Sequence, residues 1–258
     1  MSQMHPTYEL LYWPEIPGRG EFIRLVFESA HVPYKDISNE CQDGIQSVLE
    51  VISTEATGED GNPPAFAPPA LRIVGEGKDG KNLIIYQTPS ILMYLGGKLG
   101  LLGTDEADKF WIISHTLTGL DLNNETHDTH HPLSVSEYYE AQKDEALKKA
   151  KDFRENRIPK FLGFFERVLK GNIAQGQGRY LVGNSLSIAD TTVWHVLSGL
   201  QHAFPRELQV RRKEYPTLFE TFYTGIQEQD GLKGYLSSER RKPFSNGVYR
   251  HYPELDRQ

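Results

Sequence analysis

The sequence predicts an α/β domain followed by an all-helical domain, and three observations predict it. Before about residue 100 short apolar runs alternate with stretches of helical periodicity, and after it nearly every apolar repeat has helical spacing. The change falls on the glycine-rich stretch Gly96-Gly97-Lys98-Leu99-Gly100-Leu101-Leu102-Gly103, which suits a linker. A chain of 258 residues is long enough for two modest domains, each with its own core. The implied boundaries are residues 1–96 for the first domain, 97–104 for the linker, 105–230 for the helical domain and 231–258 for a C-terminal tail docked on the body.

Tyr8 to Trp13 is aromatic or apolar apart from Glu9, as a short buried strand requires, and the proline and glycine cluster after it ends the strand. Phe22, Ile23, Val26, Phe27 and Ala30 then recur at helical spacing. Pro33-Tyr34-Lys35-Asp36-Ile37 reads as a second strand and Gln42 to Ser53 as an apolar-periodic helix, which Asn62-Pro63-Pro64 and Pro68-Pro69 separate from the next strand. Ala70 to Val74 and Asn82 to Tyr86 are two strands joined by the turn-rich Gly75 to Lys81, a hairpin. Gln87-Thr88-Pro89-Ser90 opens another helix, with Thr88 as the N-cap and Pro89 at the first helical position. The order βαβ, then αββα, is that of a thioredoxin-like domain.

Helical patterns in the second half run from Ala107 to Thr126, Glu137 to Leu169, Ile188 to Ala203 and Leu218 to Glu228. Ser187-Ile188-Ala189-Asp190 reads as a capping box with Asp in place of the usual Glu. His127, His130 and His131, with Glu125 and Asp128, have ligand chemistry, but they fall at a helix end and its following loop with no cysteine beside them. His131-Pro132 reads instead as the helix terminator, and no metal is expected. The tail combines cations with aromatics in Arg240-Arg241-Lys242-Pro243-Phe244 and Val248-Tyr249-Arg250-His251-Tyr252. A frayed terminus and a docked segment are the two readings, and its rings, Tyr235 included, argue for docking.

Composition excludes several classes. The chain is 38% hydrophobic without an apolar run near the roughly 18 residues of a membrane span, so no membrane partner is expected. A net charge of −7 argues against nucleic acid, whose phosphates want a basic face. The polar stretch Met1 to Thr7 lacks a signal-peptide core, and the single cysteine, Cys41, fits a reducing compartment, so a cytoplasmic location is expected.

The chemistry lies at the first strand–helix turn. Tyr12 ends the strand and faces the first turn of a helix, where backbone N–H groups favour an anion, and Arg19 adds a cation nearby. That arrangement suits a thiolate; the plain reading is a packing tyrosine and a solvated arginine. The ordered set Tyr12-Trp13 and Gly18-Arg19-Gly20-Glu21-Phe22-Ile23-Arg24 resembles the N-terminal signature of the cytosolic glutathione transferases of the tyrosine type, the sigma-, alpha- and pi-like members. Trp13 stands where that signature has Phe, and the loop Pro14 to Pro17 is one residue longer. Ser187 to Asp190, preceded by Tyr180-Leu181-Val182-Gly183, resembles the same family's helical-domain folding element, so the likeness spans about residues 8 to 225 and omits the tail.

The resemblance implies a glutathione transferase fold and an enzyme that uses glutathione as co-substrate without a cofactor. Tyr12 would donate a hydrogen bond to the glutathione sulfur, with Arg19 adding positive potential. Pro68-Pro69 resembles the cis-proline that precedes the third strand and presents backbone groups to the glutathione cysteine. If Pro69 is the cis residue, Pro68 has no N–H to offer; if Pro68 is, Ala67 supplies both groups. Gln87 and Thr88 resemble the Gln-Ser pair that grips the γ-glutamyl end. Asp121 stands where the family has an acid that reaches the partner subunit's glutathione in a two-fold homodimer; the plain reading is a solvated helix face. Trp13 and Trp111, with the tail, would line an interdomain pocket for small electrophiles. The alternative function is a noncatalytic transferase-like module for binding or assembly. A cysteine-dependent relative would need a cysteine at the first turn, and Cys41 lies well past it.

Overall fold

A computed structural model describes residues 5–258; the first four residues of the polar stretch Met1 to Thr7 lie outside the described residues. The chain forms two compact units. One runs to Leu99 and takes in Asp230–Pro243; the other comprises Gly100–Gln229 and Phe244–Gln258. Among the described residues no helix is long and apolar enough to cross a membrane.

The first unit is built on a four-stranded sheet of order β2-β1-β3-β4. Strand β1 (Tyr8–Leu11) pairs in parallel with β2 (Lys35–Asp36) and antiparallel with β3 (Ala70–Ile73), which pairs antiparallel with β4 (Leu83–Tyr86). Helix α1 (Gly20–Ser29) buries Phe22, Ile23, Val26 and Phe27 completely, as their spacing requires. Beneath β1 and β3, Leu11, Ile37, Val48, Ala70 and Ile84 form a second apolar cluster, covered by α3 (Gly44–Ile52). Strand β2 is shorter than the five residues expected, because Ile37 already begins α2 (Ile37–Glu40) and Pro33 has no N–H for a ladder. Helix α4 (Thr88–Lys98) also begins one residue early: Gln87, not Thr88, occupies the cap, at φ +70°. Gly96 and Gly97 lie inside α4, and Gly100 and Gly103 are the linker residues that take positive φ.

In the second unit α5 (Glu106–His127) lies against α8 (Ile188–Ala203), a helix buried over nearly its whole length. Helix α6 (Lys143–Asp152) passes through a π-turn at Phe153–Arg157 into α7 (Ile158–Ala174). The capping box opens α8, and the fully buried Asp190 carboxylate accepts from the Ser187 N–H (2.8 Å), the Ser187 hydroxyl (2.6 Å) and the Leu181 N–H (2.9 Å). Helix α9 (Pro205–Glu214) has no apolar periodicity to announce it; its N-terminal N–H groups at Arg206 and Glu207 are capped by Asp256 from the chain's end, at 2.8 and 3.1 Å. A π-turn at Thr217–Tyr223 leads into α10 (Thr224–Gln227), and α11 (Leu232–Leu236) returns the chain to the first unit.

The three histidine rings at the end of α5 lie within 4.8–5.1 Å of one another, His127 stacked on His131 and His130 edge-on to both, yet among the described residues no group of three or more His, Cys, Asp or Glu is placed to hold a metal ion. His130 Nε2 lies 3.0 Å from the Val248 carbonyl, and burial, with His127, His131 and Arg250 pushing the same way, holds its pKa down at about 3. The unfolded chain protonates this ring near pH 6.5, so stability rises with pH between about 3 and 6.5 and is lost on acidification, by up to about 1.4 kcal/mol per pH unit. His130→Gln is therefore expected to flatten the fall in Tm between about pH 7 and pH 5. A slope identical to the parent's would exclude His130 as its source.

Candidate functional site

The sheet register gathers one set of residues at one end. Leu11 pairs with Ala70 and Ala70 with Tyr86, so the next residue outward on each strand is Tyr12, Pro69 or Gln87. Helix α1 starts at that end after β1, and α4 after β4, which adds Arg19 and Thr88 to the same end. The Pro68–Pro69 bond is cis, Pro69 is buried and Pro68 half-buried, and Gln87 holds a positive φ of a kind that costs about 1–3 kcal/mol and concentrates at ligand-binding positions.

Tyr12 is 6% exposed and its position is built into the turn. The Arg19 N–H donates to the Tyr12 hydroxyl at 2.8 Å. A Cβ on Gly20 would stand 2.6 Å from the Tyr12 ring, and one on Gly18, which also sits at φ +44°, would overlap the hydroxyl. The glycines of the Gly-Arg-Gly turn are thus the floor on which the phenol rests. Burial pushes the Tyr12 hydroxyl up, while the Arg19 N–H and the charges of Arg19 and Arg24 pull the other way without reversing it. At neutral pH the side chain is a neutral phenol whose oxygen already accepts from Arg19, which leaves its proton to donate.

Sequence reasoning missed the buried charges behind this turn. Arg24 is 1% exposed and lies 5.9 Å from the Tyr12 ring centroid. Its Nε donates to Asp36 at 2.7 Å, and its Nη1 reaches the Pro17 carbonyl (3.1 Å), the Ile16 carbonyl (3.5 Å) and Glu21 (3.2 Å). Glu21 is fully buried as well, and is met by Tyr235 at 2.9 and 3.0 Å and by Arg241 at 3.2 Å. The available signal was the i,i+3 placement of an acid and a base in the first turn of α1, which resembles a solvated pair.

The remaining predicted residues stand elsewhere. Trp13 is half-buried and packs on the Leu11–Val48–Ile84 cluster. Asp121 and Trp111 belong to the second unit, both exposed on α5. Trp111 borders a cleft of about 680 Å³ in that unit, together with Asp108, His115, Arg167 and Asn172.

A family model described as Glutathione S-transferase, C-terminal domain, matches residues 127–239. The chain is 31% identical to Glutathione S-transferase P 1 of Xenopus laevis over 92% of its own length and 94% of that protein. It is 28% identical to Glutathione S-transferase A4 of Bos taurus, covering 94% and 95% of the two chains. Among solved structures, a sigma class GST of Fasciola hepatica aligns with TM-score 0.68 at 21% identity, over 93% of this chain and 98% of that one. Prostaglandin synthase D of Nilaparvata lugens aligns at 0.65 and 22%, over 92% and 100%.

Proposed function

The chain belongs to the glutathione S-transferase family, and from that premise we propose that it activates the glutathione thiol through the Tyr12 hydroxyl for attack on small electrophiles. The observation that supports this most is the buried, neutral phenol held by the Arg19 N–H with its proton available to a donor–acceptor contact. A thiol of pKa about 8.5 is only a few per cent ionised at neutral pH, and a hydrogen bond to the sulfur that lowers it by roughly two units makes it mostly thiolate. The thiol proton passes to solvent, the sulfur lone pair forms the new bond to the electrophilic carbon, and the displaced group or the developing anion carries the electrons away. Arg19 adds positive potential. We assign Pro68 and Pro69 to the backbone of glutathione, and Gln87 and Thr88 at the start of α4 to its γ-glutamyl carboxylate. Retention on glutathione-agarose together with a thiol-conjugation assay tests the reading; retention without conjugation would instead identify a noncatalytic binding module.

The glycine floor carries its own expected result. Gly20→Ala forces the Tyr12 ring to move, and a displacement near 1 Å at a reacting centre costs up to about a hundredfold, so turnover at saturating glutathione should fall more than about tenfold. Unchanged turnover would separate the position of Tyr12 from the reaction.

We also assign a two-fold homodimer in a cytoplasmic setting. Phe66 is 85% exposed, and α5 exposes Phe110 (62%) and Leu117 (40%) alongside Asp121, apolar surface that a second copy would cover. Because symmetry removes both copies of the ring at once, Phe66→Ser is expected to weaken dimerisation at least about tenfold. Sedimentation that finds the parent chain monomeric at micromolar concentration would overturn the assignment.

A further inference from the structure

The segment that returns from the second unit to the first, Asp230–Pro243, does more than cover a surface. Its contacts converge on α1. Tyr235, 3% exposed, donates its hydroxyl to both oxygens of Glu21, and Arg241 pairs with the same carboxylate at 3.2 Å. Arg240 pairs with Glu28 at the far end of α1, and Lys242 with Glu15 in the loop after Tyr12, at 3.3 Å. Burial beside Glu21 pushes the Tyr235 phenol up, so it stays a donor.

Glu21 shares one atom with the turn. Arg24 Nη1 serves three acceptors, the carbonyls of Ile16 and Pro17 and the Glu21 carboxylate, and the two carbonyls belong to the loop between Tyr12 and Arg19. The Pro17 carbonyl also accepts the Glu21 N–H at 3.0 Å, and Arg24 carries its charge beside the Tyr12 ring. With Tyr235 and Arg241 in place, a fully buried carboxylate has donors enough of its own. Without them its remaining side-chain partner is Arg24, and an undersatisfied buried carboxylate draws the guanidinium toward itself and away from the loop carbonyls.

We propose that Tyr235 and Arg241 are positioning residues for thiol activation: by satisfying Glu21 they leave Arg24 free to hold the Ile16–Pro17 loop, and with it the Arg19 N–H and the Tyr12 hydroxyl, in the working geometry. The inference rests on the assignment of Tyr12 as the thiol-activating group.

The test compares Tyr235→Phe, Arg241→Met, their double variant, Arg241→Lys and Tyr12→Phe. Each is read by the pH dependence of thiolate absorbance of bound glutathione, by kcat and KM, and by Tm. In the double variant the ionisation midpoint is expected to move toward that of the free thiol by about half a pH unit, so that kcat/KM falls about threefold well below that midpoint and about 1.5-fold at pH 7, while KM for glutathione changes less than about twofold. Arg241→Lys, which keeps a cation against Glu21, should restore the parent midpoint. If the double variant does not fold, Tyr235→Phe alone, which keeps the ring, is expected to show the same shift at reduced size. A lowered Tm with the midpoint in place, in variants where Tyr12→Phe does move it, overturns the positioning role and leaves Tyr12 as assigned. A midpoint that Tyr12→Phe itself leaves unmoved overturns the Tyr12 assignment, and the positioning role with it.

Discussion

Tyr12→Phe is expected to lower conjugation by about two orders of magnitude with KM for glutathione little changed. The substitution keeps the ring that fills the space above Gly20 and removes one oxygen, so the fold is disturbed only by the loss of the acceptor for the Arg19 N–H, roughly 1 kcal/mol. The hydroxyl is needed where charge develops on sulfur, not where the tripeptide is held, and the loss should therefore appear in kcat and in the pH dependence rather than in binding. Without the donor the limb of the pH–rate profile that reports thiol ionisation moves upward, and raising the pH should recover much of the lost rate. Should rate and profile both survive, the thiol is activated elsewhere. Tyr8 is a poor substitute, because it lies in the core against Phe27 at 5.0 Å and burial pushes its hydroxyl up to about 12. Thr7, just before β1, would be the next hydroxyl to test.

The legible parts of this protein are those where one element carries its own signal. β1 with α1, the β3–β4 hairpin, α5 and α8 announce themselves by period and by turn residues, and the thioredoxin-like and helical architecture they predict is the one observed. Helix α9 was not legible, since Pro205–Glu214 is polar on most faces; it exists because Glu207 is gripped by Arg211 and Arg257 and because Asp256 caps its first turn. The cap of α4 was misplaced by one residue, because Thr88 has cap chemistry whereas a glutamine carries no sequence signal for the positive φ that Gln87 takes. The same division runs through the site. Tyr12, Arg19 and the two glycines lie within nine residues and could be read together. The charges that steady them could not, because Glu21 meets Tyr235 across a sequence separation of 214, and a buried carboxylate looks in sequence like any solvated one.

Tyr249→Ala is expected to destabilise the second unit by about 4 kcal/mol, roughly three orders of magnitude in its folding equilibrium. The ring is 1% exposed and lies so close over Gly199 that a Cβ there would overlap it, so α8 presents bare backbone to this one side chain. His195 and Phe244 meet the ring edge-on at 5.6 and 5.5 Å, and the hydroxyl donates to Asn123, itself buried on α5, at 3.0 Å. Truncation to Ala opens a cavity between α5 and α8 and leaves the Asn123 oxygen without that donor, two costs that add. For a unit of this size the shift in Tm should be about 10 °C, and Tyr249→Phe, which keeps the ring and loses only the hydrogen bond, should recover most of it. Equal losses in the two variants would assign the effect to the hydroxyl; no loss in either would show that the segment Phe244–Gln258 contributes nothing to the second unit's stability through this ring, whatever its packing.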